Sequence, residues 1–516
     1  MRKEALSLAI SMIFFGGHAY AVEDLQHYTV QEIVNDVQHG KVTATALVKA
    51  YQHRIDTIEG STQGFNAILT RNTNVEEEAR ALDAINDKAK LALAGVPIFV
   101  KDNINTAAMP TSHGVEALKT YQPKYNAVAV DRLIKAGALV MGKTNMPEFA
   151  MFWDTVSSVG GRTYNPQDRT KNINGSSGGS AASVVAGYAP VALGTESCGS
   201  ITDVASFTSL VGYRPSPGLV PRTGIDYNRL GDTIGPLAKN VVDAAMVVDV
   251  MAGEDPQDNL TKGHHLNESL LTSLTNNKSL KGKVLGYVVA PFGGWKTDIA
   301  ITPAISATMQ KALDELRGQG AIITPIHIPA DWWADYGSGN YWDDSGKEDY
   351  FSRTQATIPT GLKEKTKPYD VLNYGDLIAA SPHMNSIAKD WIQASDNKPL
   401  DPKTFNAAVE SRKTFAKGVD LLYKQYHLDA LIYPTVSLPP ADVEKDPATL
   451  IDPKQLGTHC GWANYTGRPV VSVPAGFSNH FPVGLSFLGD RFNDGKLLGL
   501  AAAFEESTHN QKLPQI

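Results

Sequence analysis

The sequence predicts an α/β protein whose mostly parallel sheet is covered by helices on both faces. Apolar runs typical of buried strands alternate with stretches of helical periodicity along most of the 516 residues. Hydrophobic residues make up 42% of the chain and charged residues 20%, a balance that fills a large core and excludes a disordered or fibrous protein. The formal charge of −7 offers no basic face, so we expect no nucleic-acid partner.

The N-terminus has three features of a secretory signal peptide. Arg2 and Lys3 form a basic start, residues 5–15 are almost entirely apolar, and residues 19–21 have the small-x-small form of a cleavage site. The apolar run is shorter than the roughly 20 residues that span a bilayer. We therefore expect cleavage after Ala21, a mature domain of residues 22–516 that is periplasmic or secreted, and no stable membrane anchor.

The first elements follow from periodicity and capping residues. Two helices are predicted within residues 28–58, where Thr29 and Glu32 form a capping-box pattern, and a further helical region spans residues 76–93. The apolar residues 98–100 predict a buried strand with polar side chains at its C-terminal end.

The alternation of strands and helices then continues to the C-terminus. Helical and strand patterns follow at residues 127–136, 138–141, 181–195, 240–252, 283–289, 302–317, 321–326, 404–433, 469–473, 483–488 and 497–506. Residues 330–400 interrupt the alternation and are rich in Trp and Tyr. These aromatic residues could line a substrate cleft or form a satellite core under a long loop, and the pattern does not choose between the two.

Two motif matches lack the structural context that they require. Residues 137–144 (GALVMGKT) fit the phosphate-loop pattern, but their variable residues belong in a strand rather than in a turn. Residues 175–179 fit the nucleophile-elbow pattern around Ser177, but the polar residues 165–174 before it do not form the required strand. An α/β-hydrolase-type esterase with Ser177 as nucleophile, and with His459 as a partner by position, therefore remains an alternative. No metal-ligand motif is present, and we expect neither a metal nor a cofactor.

Two Gly/Ser-rich segments, residues 174–180 and 195–201, frame a small apolar helix and a strand. In the second segment, consecutive N–H groups before Ser200 could converge on one oxyanion. Composition alone fits an ordinary loop equally well.

Several ordered blocks resemble the amidase signature hydrolases. They are PIFVKDN at residues 97–103, GKTNMPEF at 142–149, GSSGGS at 175–180, GTESCGSI at 194–201, VGYRP at 211–215, NYTGRP at 464–469 and VGLSFL at 483–488. The resemblance extends over about residues 28–508. It implies one large α/β domain with a mixed sheet of about eleven strands. It also implies an amidase that cleaves a carboxamide C–N bond in a small-molecule or peptide substrate.

The resemblance assigns a Ser–cis-Ser–Lys triad to Lys101, Ser176 and Ser200, with Ser176 following a cis peptide bond. In the relay that it implies, Ser200 attacks the carbonyl while Ser176 passes its proton to Lys101. The N–H groups of Ser197, Cys198, Gly199 and Ser200 hold the oxyanion. Lys101 can act as a base only as the neutral amine, which desolvation beside an apolar strand favours. Without the family blocks, the sequence favours a surface ion pair between Lys101 and Asp102.

Two residues depart from the family pattern at the nucleophile. Cys198 replaces a glycine, and Thr202 replaces an arginine whose charge must then be supplied elsewhere. Similar departures occur in the secreted peptide-amidase branch, which favours C-terminal peptide amides as substrates. We expect no Cys198–Cys460 disulfide, because a bridge inside the oxyanion loop would constrain catalysis.

Two further alternatives remain open. The departures at Cys198 and Thr202 are compatible with a non-catalytic exported binding protein on an amidase scaffold. A glutamine-amidase subunit of a tRNA amidotransferase shares the same motifs, but the predicted signal peptide argues against a cytoplasmic protein of that kind.

Overall fold

A computed structural model describes residues 25–225, 232–289, 300–328, 374–386, 388–390, 393, 402–443 and 457–516. The predicted signal peptide lies outside these residues, as does most of the aromatic-rich stretch 330–400. Both interpretations of that stretch remain predictions.

The described helices are α1 (Val30–Gln38), α2 (Ala44–Glu59), α3 (Val75–Asp83), α4 (Val128–Lys135), α5 (Gly178–Val185), α6 (Thr202–Thr208), α7 (Val241–Met251), α8 (Leu270–Asn277), α9 (Pro303–Gly318), α10 (Tyr374–Ala379), α11 (Pro402–Tyr426), α12 (Gly461–Thr466) and α13 (Asp494–Thr508). The described strands are β1 (Ile68–Arg71), β2 (Pro97–Lys101), β3 (Leu139–Thr144), β4 (Val156–Ser157), β5 (Gly161–Arg162), β6 (Val191–Glu196), β7 (Val211–Arg214), β8 (Thr233–Ala238), β9 (Val284–Val289), β10 (Ile322–His327), β11 (Ala430–Pro434), β12 (Val470–Ser478) and β13 (Phe481–Leu488).

Eleven of these strands form one sheet in the order β1-β3-β2-β6-β8-β7-β12-β13-β11-β9-β10, and β4 and β5 form a small separate ribbon. The predicted mixed sheet of about eleven strands is confirmed. Parallel pairing occupies both flanks, where β2 lies between β3 and β6 and where β9 lies between β11 and β10. The pairs at the centre of the sheet are antiparallel.

The helix starts follow the local sequence, whereas one predicted helix is too long. At α1 the Thr29 side chain accepts from the Glu32 N–H and the Glu32 carboxylate accepts from the Thr29 N–H, so the predicted capping box is present. The helix predicted over residues 76–93 ends as α3 at Asp83, and only a short 3₁₀ turn follows at Lys88–Lys90. Residues 84–87 bring no buried apolar side chain and include an Asn and an Asp, which favour turns.

The polar loops of the site rest on a dense core beside β2, β3 and β6, whose residues are all buried. Helix α5 packs close to this sheet because it consists of Gly, Ser, Ala and Val. A Cβ on Gly179 would lie 2.4 Å from the backbone N of Asn145, so only glycine allows the helix to approach so closely. The start of α5 is thereby held against the C-terminal ends of the strands.

Asp243 on α7 provides a test of stability against pH. Its fully buried carboxylate accepts hydrogen bonds from the Val30 N–H at 2.9 Å and the Gln31 N–H at 3.2 Å, at the start of α1. Burial raises the pKa of Asp243 to about 6 from its ordinary value of 3.8. The protonated carboxyl therefore favours the folded state. This contribution to stability is complete below about pH 4 and is lost as the pH rises through 6.

We expect the free energy of unfolding of the wild type to fall by roughly 3 kcal/mol between pH 4 and 8 relative to that of Asp243→Asn, as measured by urea unfolding. The exposed Asp87→Asn variant is the control and should follow the wild-type profile. An unchanged difference between wild type and Asp243→Asn would contradict this prediction.

Candidate active site

Lys101 is the last residue of β2, and its side chain is fully buried. Its Nζ lies 2.7 Å from Ser176 Oγ, 2.9 Å from Thr195 Oγ1 and 3.3 Å from the Thr195 carbonyl oxygen. Asn103 Nδ2 donates to the same Thr195 Oγ1 at 2.9 Å. The structure thus joins Lys101 to Ser176, as the resemblance implies, with Thr195 as a shared anchor.

The surface ion pair between Lys101 and Asp102 does not form. The buried Asp102 carboxylate lies 3.7 Å from the ammonium of Lys143, and it accepts hydrogen bonds from Ser112 and Gly114. Lys143 is also fully buried, on the neighbouring strand β3, and donates to the Ile104 carbonyl at 2.6 Å. The lysine of the phosphate-loop pattern therefore lies within a strand and holds the loop that follows β2.

Ser176 lies in the polar loop before α5, immediately after a cis peptide bond from Gly175. The side-chain oxygen of Asn174 accepts the Gly175 N–H at 2.6 Å and fixes the loop before that bond. The neighbouring Ser177 is also fully buried, but its hydroxyl donates to the Thr195 carbonyl at 3.3 Å. Of the two serines, Ser176 is the one hydrogen-bonded to Lys101 Nζ.

The strand before Ser177 and the Ser177–His459 contact that the esterase alternative requires are not seen in the described residues. In the structure Ser177 follows an irregular segment rather than a strand. His459 Nε2 lies 2.7 Å from Ser437 Oγ, and its Nδ1 lies 2.7 Å from the Pro434 carbonyl oxygen. Burial lowers the pKa of His459 to about 4, so the ring is neutral at pH 7. The histidine proposed by position is thus held in a different hydrogen-bonded pair.

Ser200 lies in the loop between β6 and α6, with 8% of its surface exposed. Within the described residues, the backbone N–H groups of residues 197–200 donate to no protein acceptor. Gly199 has a φ of +79°, and a Cβ there would lie 2.2 Å from Asp203 Oδ2. Burial raises the pKa of Asp203, which lies beside this loop, well above its ordinary value. A loop with four unused donors is suited to bind an oxygen that develops negative charge.

Glu196 binds the backbone at Thr202, and the buried Arg214 places a cation beside Glu196. The buried Glu196 carboxylate accepts from the Ile201 and Thr202 N–H groups, both at 2.8 Å, and from the Thr202 hydroxyl at 3.1 Å. Its other oxygen lies 3.7 Å from the Nε of Arg214, which is also buried. The sequence alone does not reveal the pairing of Glu196 with Arg214, because this pairing requires β7 and β6 to lie close in the folded sheet.

The expectation that Cys198 and Cys460 are unbridged is wrong. The two residues form a disulfide with a Cα–Cα distance of 4.7 Å across 262 residues of sequence. Cys460 immediately precedes α12, and this placement brings its side chain against the loop of Ser200. The bridge involves the side chain of Cys198, so it does not occupy the N–H groups of the loop.

The described residues contain no cluster of three His, Cys, Asp or Glu side chains that could hold a metal ion. Among the same residues, no helix is both long and apolar enough to cross a membrane.

Comparisons with known proteins agree with the fold. The pattern that defines the amidase family matches residues 46–498. The A subunit of the glutamyl-tRNA(Gln) amidotransferase from Deinococcus radiodurans is 31% identical over 500 residues, which are 92% of this chain and 96% of that protein. The crystal structure of the native peptide amidase from Stenotrophomonas maltophilia superposes with a TM-score of 0.82 at 29% identity, covering 95% of this chain and 98% of that one. The amidotransferase A subunit from Thermotoga maritima has a TM-score of 0.70 at 26% identity, covering 95% and 99%.

An eleven-stranded mixed sheet with a buried lysine–serine pair beside a donor-rich loop defines an α/β hydrolytic enzyme. The chain belongs to the amidase signature family, whose members act on amide C–N bonds.

Proposed function

We propose that this chain is an exported amidase in which Lys101, Ser176 and Ser200 cleave a carboxamide through an acyl-enzyme. The observation that carries the proposal is the 2.7 Å contact between the buried Lys101 Nζ and Ser176 Oγ, next to a loop whose N–H groups are unused. Serine needs a base, and burial disfavours the charged form of an amine.

The contacts of Lys101 suit a neutral amine. Lys101 Nζ lies within hydrogen-bond distance of three oxygens, those of the Ser176 hydroxyl, the Thr195 carbonyl and the Thr195 hydroxyl. In the proposed neutral form, two N–H bonds serve the Thr195 oxygens and the lone pair faces the Ser176 hydroxyl. As Ser200 attacks the substrate carbonyl, its proton passes to Ser176, and the proton of Ser176 passes to Lys101. The reverse relay protonates the leaving nitrogen, and the C–N bond breaks. Water then attacks the acyl-enzyme by the same relay and releases the acid.

The proposed substrate is a small-molecule or peptide amide, with C-terminal peptide amides favoured. The TM-score of 0.82 to a peptide amidase supports this choice. The departures at Cys198 and Thr202 add to it, because they resemble the secreted peptide-amidase branch. The signal peptide predicted at residues 1–21 supports a periplasmic or secreted enzyme.

A glutamine-hydrolysing component of an amidotransferase is the second candidate, favoured by 31% identity to a glutamyl-tRNA(Gln) amidotransferase A subunit. The two candidates differ in their preferred substrate. Turnover of a C-terminally amidated dipeptide by the isolated chain supports the amidase. Hydrolysis of free glutamine with no turnover of peptide amides would favour the amidotransferase component.

We expect a fluorophosphonate to label the purified mature chain at Ser200, as mapped by mass spectrometry of the digest. Ser200→Ala should abolish the adduct, and Lys101→Ala should slow its formation by about 10³-fold or more, because the base that activates the serine is gone. The same digest of the exported protein should contain an N-terminal peptide that begins at Val22.

Three results would overturn parts of the proposal. An adduct on Ser177 would replace the triad with the esterase alternative. No adduct and no amide turnover would support a non-catalytic binding protein. An N-terminal peptide that begins at Met1 would contradict export through a cleaved signal peptide.

A further inference from the structure

Two side chains hold carbonyl oxygens on the outer side of the loop before Ser200. Trp153 Nε1 donates to the Cys198 carbonyl oxygen at 2.9 Å, and Asn464 Nδ2 donates to the Ser197 carbonyl oxygen. In a planar trans peptide, the carbonyl of one residue and the N–H of the next point in opposite directions. Asn464 therefore sets the direction of the Cys198 N–H, and Trp153 sets that of the Gly199 N–H.

The disulfide fixes the same loop through its side chain. Cys198 and Cys460 pack with Trp153, Phe207 and Val436 in a small apolar cluster, separate from the main core. Both cysteines are 7–8% exposed, so the bridge lies near the surface of the cluster rather than deep in the sheet.

The helix on the far side of the bridge is itself anchored. The Asn464 N–H donates to the Cys460 carbonyl at 3.0 Å, which links the cysteine and the asparagine through the first turn of α12. Arg412 on α11 donates to the Asn464 side-chain oxygen at 2.9 Å and to its carbonyl at 2.6 Å. The loop is thus held by a helix that is itself hydrogen-bonded to α11.

We propose that Trp153, Asn464 and the Cys198–Cys460 disulfide are positioning residues that aim the Cys198 and Gly199 N–H groups at the oxyanion. The proposal rests on the proposed amidase function and adds four residues outside the triad. It also assigns a role to the cysteine that replaces the family glycine. The bridge holds the loop through the side chain of Cys198 and leaves the N–H groups of the loop unoccupied.

The test compares Trp153→Phe, Asn464→Asp and Cys460→Ser with the wild type on a C-terminally amidated dipeptide. Each change removes one hydrogen bond or the disulfide that binds the loop, and keeps the size of the side chain similar. We expect kcat to fall about tenfold or more with KM within about twofold, because misdirected donors weaken only the transition state. Affinity for a peptide aldehyde should fall in parallel with kcat, since its hemiacetal with Ser200 carries the oxyanion. Trp462→Phe on α12 is the matched control and should leave both values unchanged.

Reduction of the disulfide gives a second measurement that needs no mutation. Dithiothreitol supplies two electrons and two protons to form two thiols and is itself oxidised to its cyclic disulfide. We expect the wild type to lose about as much kcat as Cys460→Ser, and to recover it on reoxidation. The Cys198→Gly/Cys460→Ala variant should not respond to the reductant.

The outcomes separate this inference from the proposed function. If the wild type turns over the amide but the three variants and the reduced enzyme keep full kcat and aldehyde affinity, the positioning role is overturned and the amidase stands. A rise in KM at constant kcat would also overturn it. If the wild type neither turns over amides nor labels at Ser200, the proposed function fails and this inference fails with it.

Discussion

Replacement of Lys101 by Met is expected to lower kcat/KM by about 10³- to 10⁴-fold while the protein remains folded. The change removes the amine that lies 2.7 Å from Ser176 Oγ but keeps an unbranched side chain of similar volume in the buried site. Loss of a general base costs a factor of this size. Steady-state hydrolysis of an amide, together with urea unfolding, measures both quantities.

Lys143→Met is the matched control, because the structure contains a second fully buried lysine on the adjacent strand. Lys143 is paired with Asp102 and holds the loop after β2, so its loss leaves a buried carboxylate without its cation. We expect this variant to lose stability but to lose far less kcat than Lys101→Met. Equal losses of kcat in both variants would show that Lys101 acts through the fold rather than as a base.

Replacement of Arg214 by Met is expected to destabilise the protein by about 3–5 kcal/mol, because it leaves the buried Glu196 carboxylate without its cation. Glu196 also accepts both N–H groups that follow Ser200, so the loop should loosen and kcat should fall as well. Urea unfolding and turnover below the unfolding transition measure the two effects.

Two comparisons identify the cause of that effect. Arg222→Met breaks a different buried pair, between Arg222 and Asp258, and leaves the contacts of Glu196 to the Ser200 loop in place. It should therefore cost stability without lowering the kcat of the folded enzyme. Glu196→Gln/Arg214→Met removes both charges and should recover part of the stability. A double variant as unstable as Arg214→Met alone would contradict an unpaired carboxylate as the cause.

Residues adjacent in sequence could be assigned from the pattern. The buried strand that ends at Lys101, the loop before α5 and the alternation of strands and helices all depend on local periodicity and turn chemistry. The contact between Lys101 and Ser176 came from the family resemblance, and the structure places the two side chains together.

Residues brought together by strand order could not be assigned in this way. Arg214 meets Glu196 because β7 and β6 both pair with β8. The prediction of no disulfide considered only that a bridge would constrain the oxyanion loop. Whether the bridge forms depends instead on where α12 begins, because that places Cys460 beside Cys198. Trp153 and Asn464 carry no local signal, since each acts on a backbone carbonyl distant in sequence.

The strand order also decides when during synthesis the site can form. Lys101, Ser176 and Ser200 are all translated within the first 200 residues, but β7 pairs with β12, whose residues are made near the end of the chain. The second cysteine of the bridge is made 262 residues after the first. Such long-range pairings form only after the late segments are available. We therefore expect a nascent chain that already contains all three proposed catalytic residues to stay inactive until its last strands have been synthesised.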